Sequence, residues 1–145
     1  MNYWIQPAVS QDNAAIRALI RTVKINPLGI YWPRFLIAVD DENRLIGCGQ
    51  IKIHQDGSHE LASIAVVPAW RGQGVASALV ERLIVTSEQP LYLTCRSHLG
   101  AFYECFGFKV IQPAEMPPYF RRVYRLFTLL TRFSRGKSGL LVMRR

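Results

Sequence analysis

The chain has 145 residues, of which half are apolar, 11% aromatic and 19% charged. That length and composition are typical of one folded domain and exclude intrinsic disorder and a coiled coil. No uninterrupted apolar stretch approaches the roughly 18 residues that span a bilayer, and the first residues lack the pattern of a signal peptide. We therefore expect a cytoplasmic protein that forms a single domain over residues 1–145.

Cysteine and histidine spacing argues against both disulfides and metal. The residues concerned are Cys48, Cys95, Cys105, His54, His59 and His98. The cysteines are odd in number and form no C-x-x-C pair, and the histidines lie outside zinc-finger spacing. We expect neither a disulfide framework nor a metal site.

The net charge of +8 is concentrated at one end of the chain. Residues 1–116 contain ten basic and ten acidic residues and sum to zero. The excess lies in the last 29 residues, at Arg121, Arg122, Arg125, Arg132, Arg135, Lys137, Arg144 and Arg145. This asymmetry suggests an anionic ligand or partner near the C-terminal segment, with a solvated basic face as the alternative.

The first half of the chain alternates apolar and polar residues between turn signals, as strands do. Predicted strands cover Asn2 to Val9, Phe35 to Asp40, Leu45 to His54 and Glu60 to Val67. A helix capped by Ser10 or Asp12 and ending near Lys24 separates the first two strands. The later three strands are joined by short turns, so we expect an antiparallel meander.

The second half alternates helices with strands. The predicted helices run from about Gly74 to Glu88, from Leu99 to Cys105 and from Pro117-Pro118 to Phe133. The predicted strands are Leu91 to Cys95, Phe108 to Ile111 and Leu140 to Met143, the last following a break at Gly136 to Gly139. An antiparallel front and a β-α-β rear make an α+β fold.

A glycine-bearing turn joins the strand that ends at Val67 to the next helix. The first N–H groups of a helix lack intrahelical partners and lie at the positive end of its dipole, which favours phosphate. Gly72 and Gly74 allow close approach of the backbone, and Arg71 adds a cation. The segment lacks the lysine of a Walker loop and has Ser77 where a dinucleotide fingerprint needs glycine. An ordinary strand-to-helix turn is the alternative to a phosphate site.

Two motifs occur in order along the chain, Arg71-x-x-Gly74-x-Ala76 at the start of a predicted helix and Ala101-Phe102-Tyr103-Glu104 further on. Together they resemble the GNAT superfamily of acetyl-CoA-dependent N-acetyltransferases. Its signature, Q/R-x-x-G-x-G/A after a strand of the type L-x-V-x-P, is matched by Arg71-x-x-Gly74-x-Ala76 after Ile64-Ala65-Val66-Val67-Pro68. A second segment, A-x-x-Y-E-x-x-G-F with small variations, is matched by Ala101-Phe102-Tyr103-Glu104-Cys105-Phe106-Gly107-Phe108. The resemblance covers about residues 3 to 111. It implies a mixed, mostly antiparallel sheet of about seven strands flanked by helices, here with an extra basic amphipathic helix before the last strand.

The resemblance also implies how acetyl-CoA would bind as cosubstrate, without a metal. The pyrophosphate would lie on the loop formed by Arg71, Gly72, Gln73, Gly74, Val75 and Ala76. The pantetheine arm would pair with the backbone of Ile64, Ala65 and Val66. A strand bulge near Ala65 to Val67 would free an N–H group for the thioester oxygen.

The same resemblance indicates a candidate acid and a candidate base. Tyr103 stands where the family's general acid usually does, and its alternative role is a half-buried aromatic. A phenol of pKa about 10 can protonate a thiolate of pKa about 8.5 at modest cost. Glu60 is the candidate base because some family members carry a catalytic glutamate at that strand start. His59, His54 and water remain alternatives.

The implied function is transfer of an acetyl group from acetyl-CoA to a primary amine, on a small molecule or a protein, by direct attack. The alternative is a noncatalytic coenzyme A-binding module that acts on an anionic partner through its basic helix. The segment Tyr119 to Phe133 has a wide apolar arc, which favours packing on the sheet or on a second subunit of a homodimer. A membrane surface or nucleic acid is a less favoured partner for residues 119–145.

Overall fold

A computed structural model of the chain describes residues 1–134 and 139–145. In these ranges it forms seven strands and four α-helices. In chain order they are β1 (Tyr3–Pro7), α1 (Asn13–Thr22), β2 (Phe35–Asp40), β3 (Leu45–Ile53), β4 (His59–Val66), α2 (Val75–Thr86), β5 (Leu91–Arg96), α3 (Gly100–Glu104), β6 (Lys109–Val110), α4 (Pro118–Thr131) and β7 (Leu140–Arg144).

The predicted elements are all present, and β2 has the predicted bounds. Helix α1 ends at Thr22 because Lys24, near its predicted end, adopts a left-handed backbone with φ of 59°. Strand β6 is reduced to Lys109–Val110. The predicted break at Gly136 to Gly139 falls mostly on residues 135–138, which lie outside the described residues.

The strands pair in the order β1-β2-β3-β4-β5-β7-β6. Pairing is antiparallel between β1 and β2, between β2 and β3, and between β7 and both β5 and β6. Strands β4 and β5 are parallel, with His59 opposite Leu91, and a parallel pair needs a crossover, which α2 supplies. The fold is therefore α+β with a mostly antiparallel sheet flanked by helices, and the predicted fold class is confirmed.

The chain forms two compact units, which are described separately. The first unit comprises Met1–Lys52 and Leu61–Ser87, and the second comprises Ile53–Glu60 and Glu88–Arg145. The single domain over residues 1–145 stays a prediction.

The core of the first unit includes two apolar clusters. The cluster that contains α1 is built from Ala8, Ile16, Leu19, Ile20, Phe35, Ile37, Val39, Cys48 and Ala65. The cluster that contains α2 is built from Ala38, Ile46, Val75 and Leu79. Neighbouring strand residues point to opposite faces, so Ile37 and Ala38 contribute to different clusters.

Helix α2 packs directly on two glycines of β3. A Cβ atom placed on Gly47 would lie 2.9 Å from Cγ1 of Val75 and 3.2 Å from Cδ1 of Leu79. A Cβ atom on Gly49 would lie 2.9 Å from Cδ1 of Leu83. The missing side chains therefore allow the close approach of helix and sheet.

The core of the second unit lies beneath the first turns of α4. It is built from Tyr92, Ile111, Met116, Phe120 and Val142. Phe120 is fully buried and its ring stacks on that of Tyr92 at 5.2 Å. Among the described residues, no helix combines the length and apolar character that crossing a bilayer requires.

The contact between Gly47 and α2 gives a test of the fold. We expect Gly47→Ala to lower the free energy of unfolding by about 1 to 3 kcal/mol, because the branched Val75 side chain cannot move aside without disturbing the core. Urea denaturation followed by circular dichroism measures the change. Gly139→Ala is the matched control, since nothing lies within 4 Å of its added Cβ, and we expect a change below about 0.5 kcal/mol. Equal stabilities of the two variants would contradict this account of the packing.

Candidate active site

The loop between β4 and α2 has the geometry expected of a helix N-terminus that binds an anion. After a short 3-10 turn at Pro68–Trp70, the chain reaches Gly72 and Gly74, whose φ angles are +76° and +81°. Gly74 is the N-cap of α2, and its carbonyl accepts the first helical hydrogen bond, from the N–H of Ala78 at 3.0 Å. The N–H groups of the first turn are thus left without i−4 carbonyl partners. Residues 71–74 are exposed, so this helix end is open to a ligand.

Two aromatic residues and one valine hold this loop. Val75, the first residue of α2, is buried against the cluster of Ala38, Ile46 and Leu79. The Trp70 ring meets the ring of Tyr3 edge to face at 6.2 Å. Because the Val75 side chain points into the core, only its backbone is placed to contact a cofactor.

The strand that precedes the loop has an irregular backbone just before the predicted bulge. Ser63 has a left-handed backbone with φ of 60°, two residues before Ala65. The N–H of Val67 donates to the carbonyl of Ile46 at 2.8 Å and is therefore not free. The free N–H near Ala65 to Val67 stays a prediction. Ile64 and Val66 are half-buried, whereas Ala65 belongs to the core.

Gln50 holds this irregular strand, and the sequence pattern did not single it out. Its fully buried side chain donates from Nε2 to Oγ of Ser63 at 2.9 Å and to the carbonyl of Gly29 at 3.2 Å. The amide therefore links β4 to the loop that follows α1. Nearby, Sγ of Cys48 donates to the carbonyl of Ser63 at 3.6 Å, and burial raises the pKa of this thiol to about 12. Cys48 is thus a core residue and not a nucleophile.

Tyr103 lies on α3 of the second unit, half-buried among aromatic rings. The rings of Phe102 and Phe108 meet it edge to face at 4.9 Å and 6.1 Å. Burial, with a smaller contribution from the Cys95 thiol, raises the pKa of Tyr103 to about 12. Its hydroxyl is therefore protonated at neutral pH and able to donate. Among the described residues, this hydroxyl forms no hydrogen bond.

Glu60 and His54 come together in the second unit. The side chain of Glu60 is 6% exposed, and Nε2 of His54 lies 3.6 Å from its Oε1. Both residues flank the turn at Asp56-Gly57, which the N–H of His54 closes by donating to the carbonyl of Ser58 at 2.9 Å. The sequence offered Glu60 and His54 as alternative bases, whereas the structure makes them neighbours.

Helix α4 covers this pair, which the sequence did not predict. The ring of Tyr119 stacks on the ring of His54 at 3.5 Å, and Phe120 meets the same ring edge to face at 5.6 Å. The N–H of Tyr119 also donates to Oδ2 of Asp56 at 2.9 Å. Burial and the nearby carboxylates of Glu60 and Asp56 raise the pKa of the Tyr119 hydroxyl. The first turn of α4 is thus fastened over the buried carboxylate.

Asp56 is set up to accept these hydrogen bonds as a carboxylate. Partial burial acts to raise its pKa, but hydrogen bonds from the Ser58 hydroxyl and from the N–H groups of Tyr119 and Ser58 outweigh burial. Together with the nearby His54 they lower the pKa of Asp56 below its ordinary value. The contact with Tyr119 therefore persists at neutral pH.

His59, the third candidate base, lies apart from this group. Its Nε2 is 4.0 Å from Oε2 of Glu88, whose side chain is exposed. Within the described ranges, no cluster of three His, Cys, Asp or Glu side chains is arranged to hold a metal ion.

A family comparison decides the class of the chain. Residues 32–110 match the model of the acetyltransferase (GNAT) domain. The chain belongs to the GNAT acetyltransferase family. The matched region contains both the glycine-bearing loop and Tyr103. A search of curated proteins finds no match.

Solved structures agree on the fold. The chain is similar to N-acetylglutamate synthase from Neisseria gonorrhoeae, solved with coenzyme A and N-acetyl-glutamate, at 26% identity and a TM-score of 0.74. The match covers 99% of this chain but 35% of that one, so this chain spans about a third of that protein's length. The ribosomal-protein-S18-alanine N-acetyltransferase from Escherichia coli shares the fold at 17% identity and a TM-score of 0.64, covering 99% of this chain and 92% of that one.

Proposed function

We propose that this GNAT protein is an enzyme that transfers an acetyl group from acetyl-CoA to a primary amine by direct attack. The amine nitrogen forms a bond with the thioester carbon, the carbon–sulfur bond breaks, and coenzyme A leaves as thiolate. The observation that carries the proposal is the exposed loop at Arg71 to Ala76, where two left-handed glycines lead into the first turn of α2. The acceptor is an amine of a small molecule or of a protein.

The loop supports pyrophosphate binding by the backbone. N–H groups between Arg71 and Ala76 would donate to the phosphate oxygens at the positive end of the α2 dipole. In the preceding strand, the backbone of Ile64, Ala65 and Val66 would pair with the pantetheine arm. The similar enzyme from Neisseria gonorrhoeae was solved with coenzyme A, which supports the same cosubstrate here.

Tyr103 is the proposed acid. Full transfer of a proton from a phenol of pKa about 12 to a thiolate of pKa about 8.5 is uphill by about 5 kcal/mol. We therefore propose that Tyr103 donates a hydrogen bond that strengthens as the thiolate forms, without complete proton transfer.

Glu60 is the proposed base, with His54 as its neighbour. An ammonium must lose a proton before or during attack, and the Glu60 carboxylate can accept it directly or through water. His54 at 3.6 Å can hold the carboxylate in place or pass the proton on. His59 is a weaker candidate because it lies beside an exposed glutamate, away from this pair.

Tyr103→Phe tests the enzyme against the alternative of a noncatalytic module. We expect kcat on an amine panel to fall about a hundredfold, because the donor to the thiolate is lost. The dissociation constant for coenzyme A should change less than about twofold, since a ring of the same size remains. Tyr124→Phe on α4 is the control. No turnover of any amine by the unmodified protein, despite coenzyme A binding, would support the noncatalytic module instead.

The pH dependence of kcat gives a second test of Tyr103. A donor works below its own pKa, and a pKa of about 12 keeps Tyr103 protonated across the usual assay range. We therefore expect no loss of kcat between about pH 8 and pH 10 from its ionisation. A decline centred near pH 10 that disappears in Tyr103→Phe would show that its pKa is not raised.

A comparison of the variants Glu60→Gln and His59→Gln distinguishes the two candidate bases. We expect Glu60→Gln to lower kcat at least tenfold at neutral pH, because a general base contributes at least that much to the rate. The rate should recover partially at higher pH, where the amine deprotonates in solution. His59→Gln should remain within about twofold of the unmodified protein. Thermal stabilisation by coenzyme A, measured for both variants, confirms that they are folded. The reverse order of effects would remove Glu60 from the mechanism.

Substitutions in the loop separate backbone geometry from charge. We expect Gly74→Val to weaken coenzyme A binding far more than Arg71→Ala, for which about tenfold or less is expected because an exposed cation is screened. Gly57→Val is the matched control, since Gly57 has a similar φ of +83° but lies in the turn between β3 and β4. Calorimetric titration with coenzyme A measures all three. If Arg71→Ala were the more harmful change, charge and not the helix start would hold the phosphates.

A further inference from the structure

Helix α4 has two apolar faces, and the rest of the second unit covers one of them. Phe120 belongs to the core, and Phe127 is half-buried beside Arg96, whose guanidinium lies 5.0 Å from the ring centre. The other face carries Leu126, Leu129 and Leu130, and together with Phe133 just past the helix end they form what we call the outward stripe. Exposure in the outward stripe rises from 58% at Leu126 to 90% at Phe133. The wide apolar arc predicted from the sequence is thus only partly used for packing.

The spacing of Leu126, Leu129 and Leu130 follows the i, i+3, i+4 pattern of a single helical face. Phe133 follows two residues after α4 ends at Thr131 and extends the apolar surface past the helix end. Isolated exposed leucines are common on protein surfaces, but a contiguous apolar stripe usually marks an interaction site.

Cations accompany the outward stripe. Arg122 and Arg125 are exposed on the same helix, and Arg132 is exposed at its C-cap. Residues 117–145 of the sequence contain eight basic residues and no acidic one. A partner must therefore offer negative charge beside an apolar layer.

This combination favours one partner over the others. A second copy that used the same surface would bring two sets of arginines together without an acidic residue to offset them. Nucleic acid would neutralise the arginines but would offer no apolar surface to the leucines of the outward stripe. The boundary between headgroups and acyl chains of an anionic bilayer satisfies both features.

We propose that α4 attaches this protein to the surface of membranes that contain anionic lipids. The outward stripe enters the boundary between headgroups and acyl chains, and the neighbouring arginines contact lipid phosphates. This attachment is independent of acetyl transfer and would stand if the proposed activity failed.

Cosedimentation of the full chain with vesicles tests the proposal. We expect binding to phosphatidylcholine vesicles with about 30% phosphatidylglycerol, little binding to phosphatidylcholine alone, and a marked loss at about 0.5 M salt. Arg122→Gln with Arg125→Gln should weaken binding about 25-fold, or about fivefold for each arginine. Leu129→Glu with Leu130→Glu should weaken it at least tenfold, because charged side chains oppose insertion.

Two further variants provide a matched control and a direct reporter of membrane binding. Val85→Glu on α2 is the matched control, since Val85 is an apolar side chain that is 81% exposed outside the outward stripe, and it should leave vesicle binding unchanged. Phe133→Trp supplies a direct reporter, whose emission should shift to shorter wavelength with anionic vesicles. The arginine pair and this reporter decide the matter if the leucine pair does not fold.

Several outcomes would overturn the proposal. The first is no binding to anionic vesicles. The second is binding that the leucine-pair variant leaves unchanged, because that result indicates attraction by charge alone, which RNA would also show. A third is a dimer in sedimentation equilibrium that the leucine pair abolishes, in a protein that does not bind vesicles. That result would assign the outward stripe to a second copy.

Discussion

The contact of Val75 with Gly47 determines where α2 begins, and the proposed cofactor site depends on it. Val75 is the first residue of the helix and lies over a strand position that has no side chain. The chain must therefore turn sharply just before it, which Gly74 achieves with a left-handed backbone. Donors at a helix start act over one turn only, so their position matters more than the charge of a mobile, solvated arginine. Core packing in the first unit thus fixes the backbone geometry on which the proposed anion site depends.

In the second unit the corresponding constraint is a buried carboxylate. Glu60 is nearly inaccessible beside His54, and the rings of Tyr119 and Phe120 pack against the His54 ring. The turn at Asp56-Gly57 brings the two side chains together, with Nε2 of His54 lying 3.6 Å from Oε1 of Glu60. Helix α4 maintains this environment through Tyr119 and its contact with Asp56.

Local signals explain what could be predicted from the sequence. Strand β2 was predicted to the residue because an apolar run lies between the turn at Asn26 to Pro33 and the polar turn at Asp41. The loop was recognisable because its glycines and helix start are adjacent in sequence. The neighbourhood of His54 and Glu60 depends on closure of the turn between them, which the Asp56-Gly57 signal could have suggested. The cover provided by Tyr119 could not be found, because it joins segments 63 residues apart that share no periodic pattern. Likewise, a helical wheel gave the width of the apolar arc on α4 but not which part the sheet would cover.

The two halves of the proposed reaction differ in how much a sequence can reveal. Pyrophosphate recognition uses N–H groups, which every residue except proline supplies, so it requires only left-handed glycines and a buried anchor such as Val75. A fold that binds its cofactor in this way can keep the site while most side chains change. Recognition of the acceptor relies instead on side chains that tertiary structure brings together, as it brings Tyr119 onto His54. A short motif is therefore enough to propose the cofactor, whereas the amine must be identified by experiment.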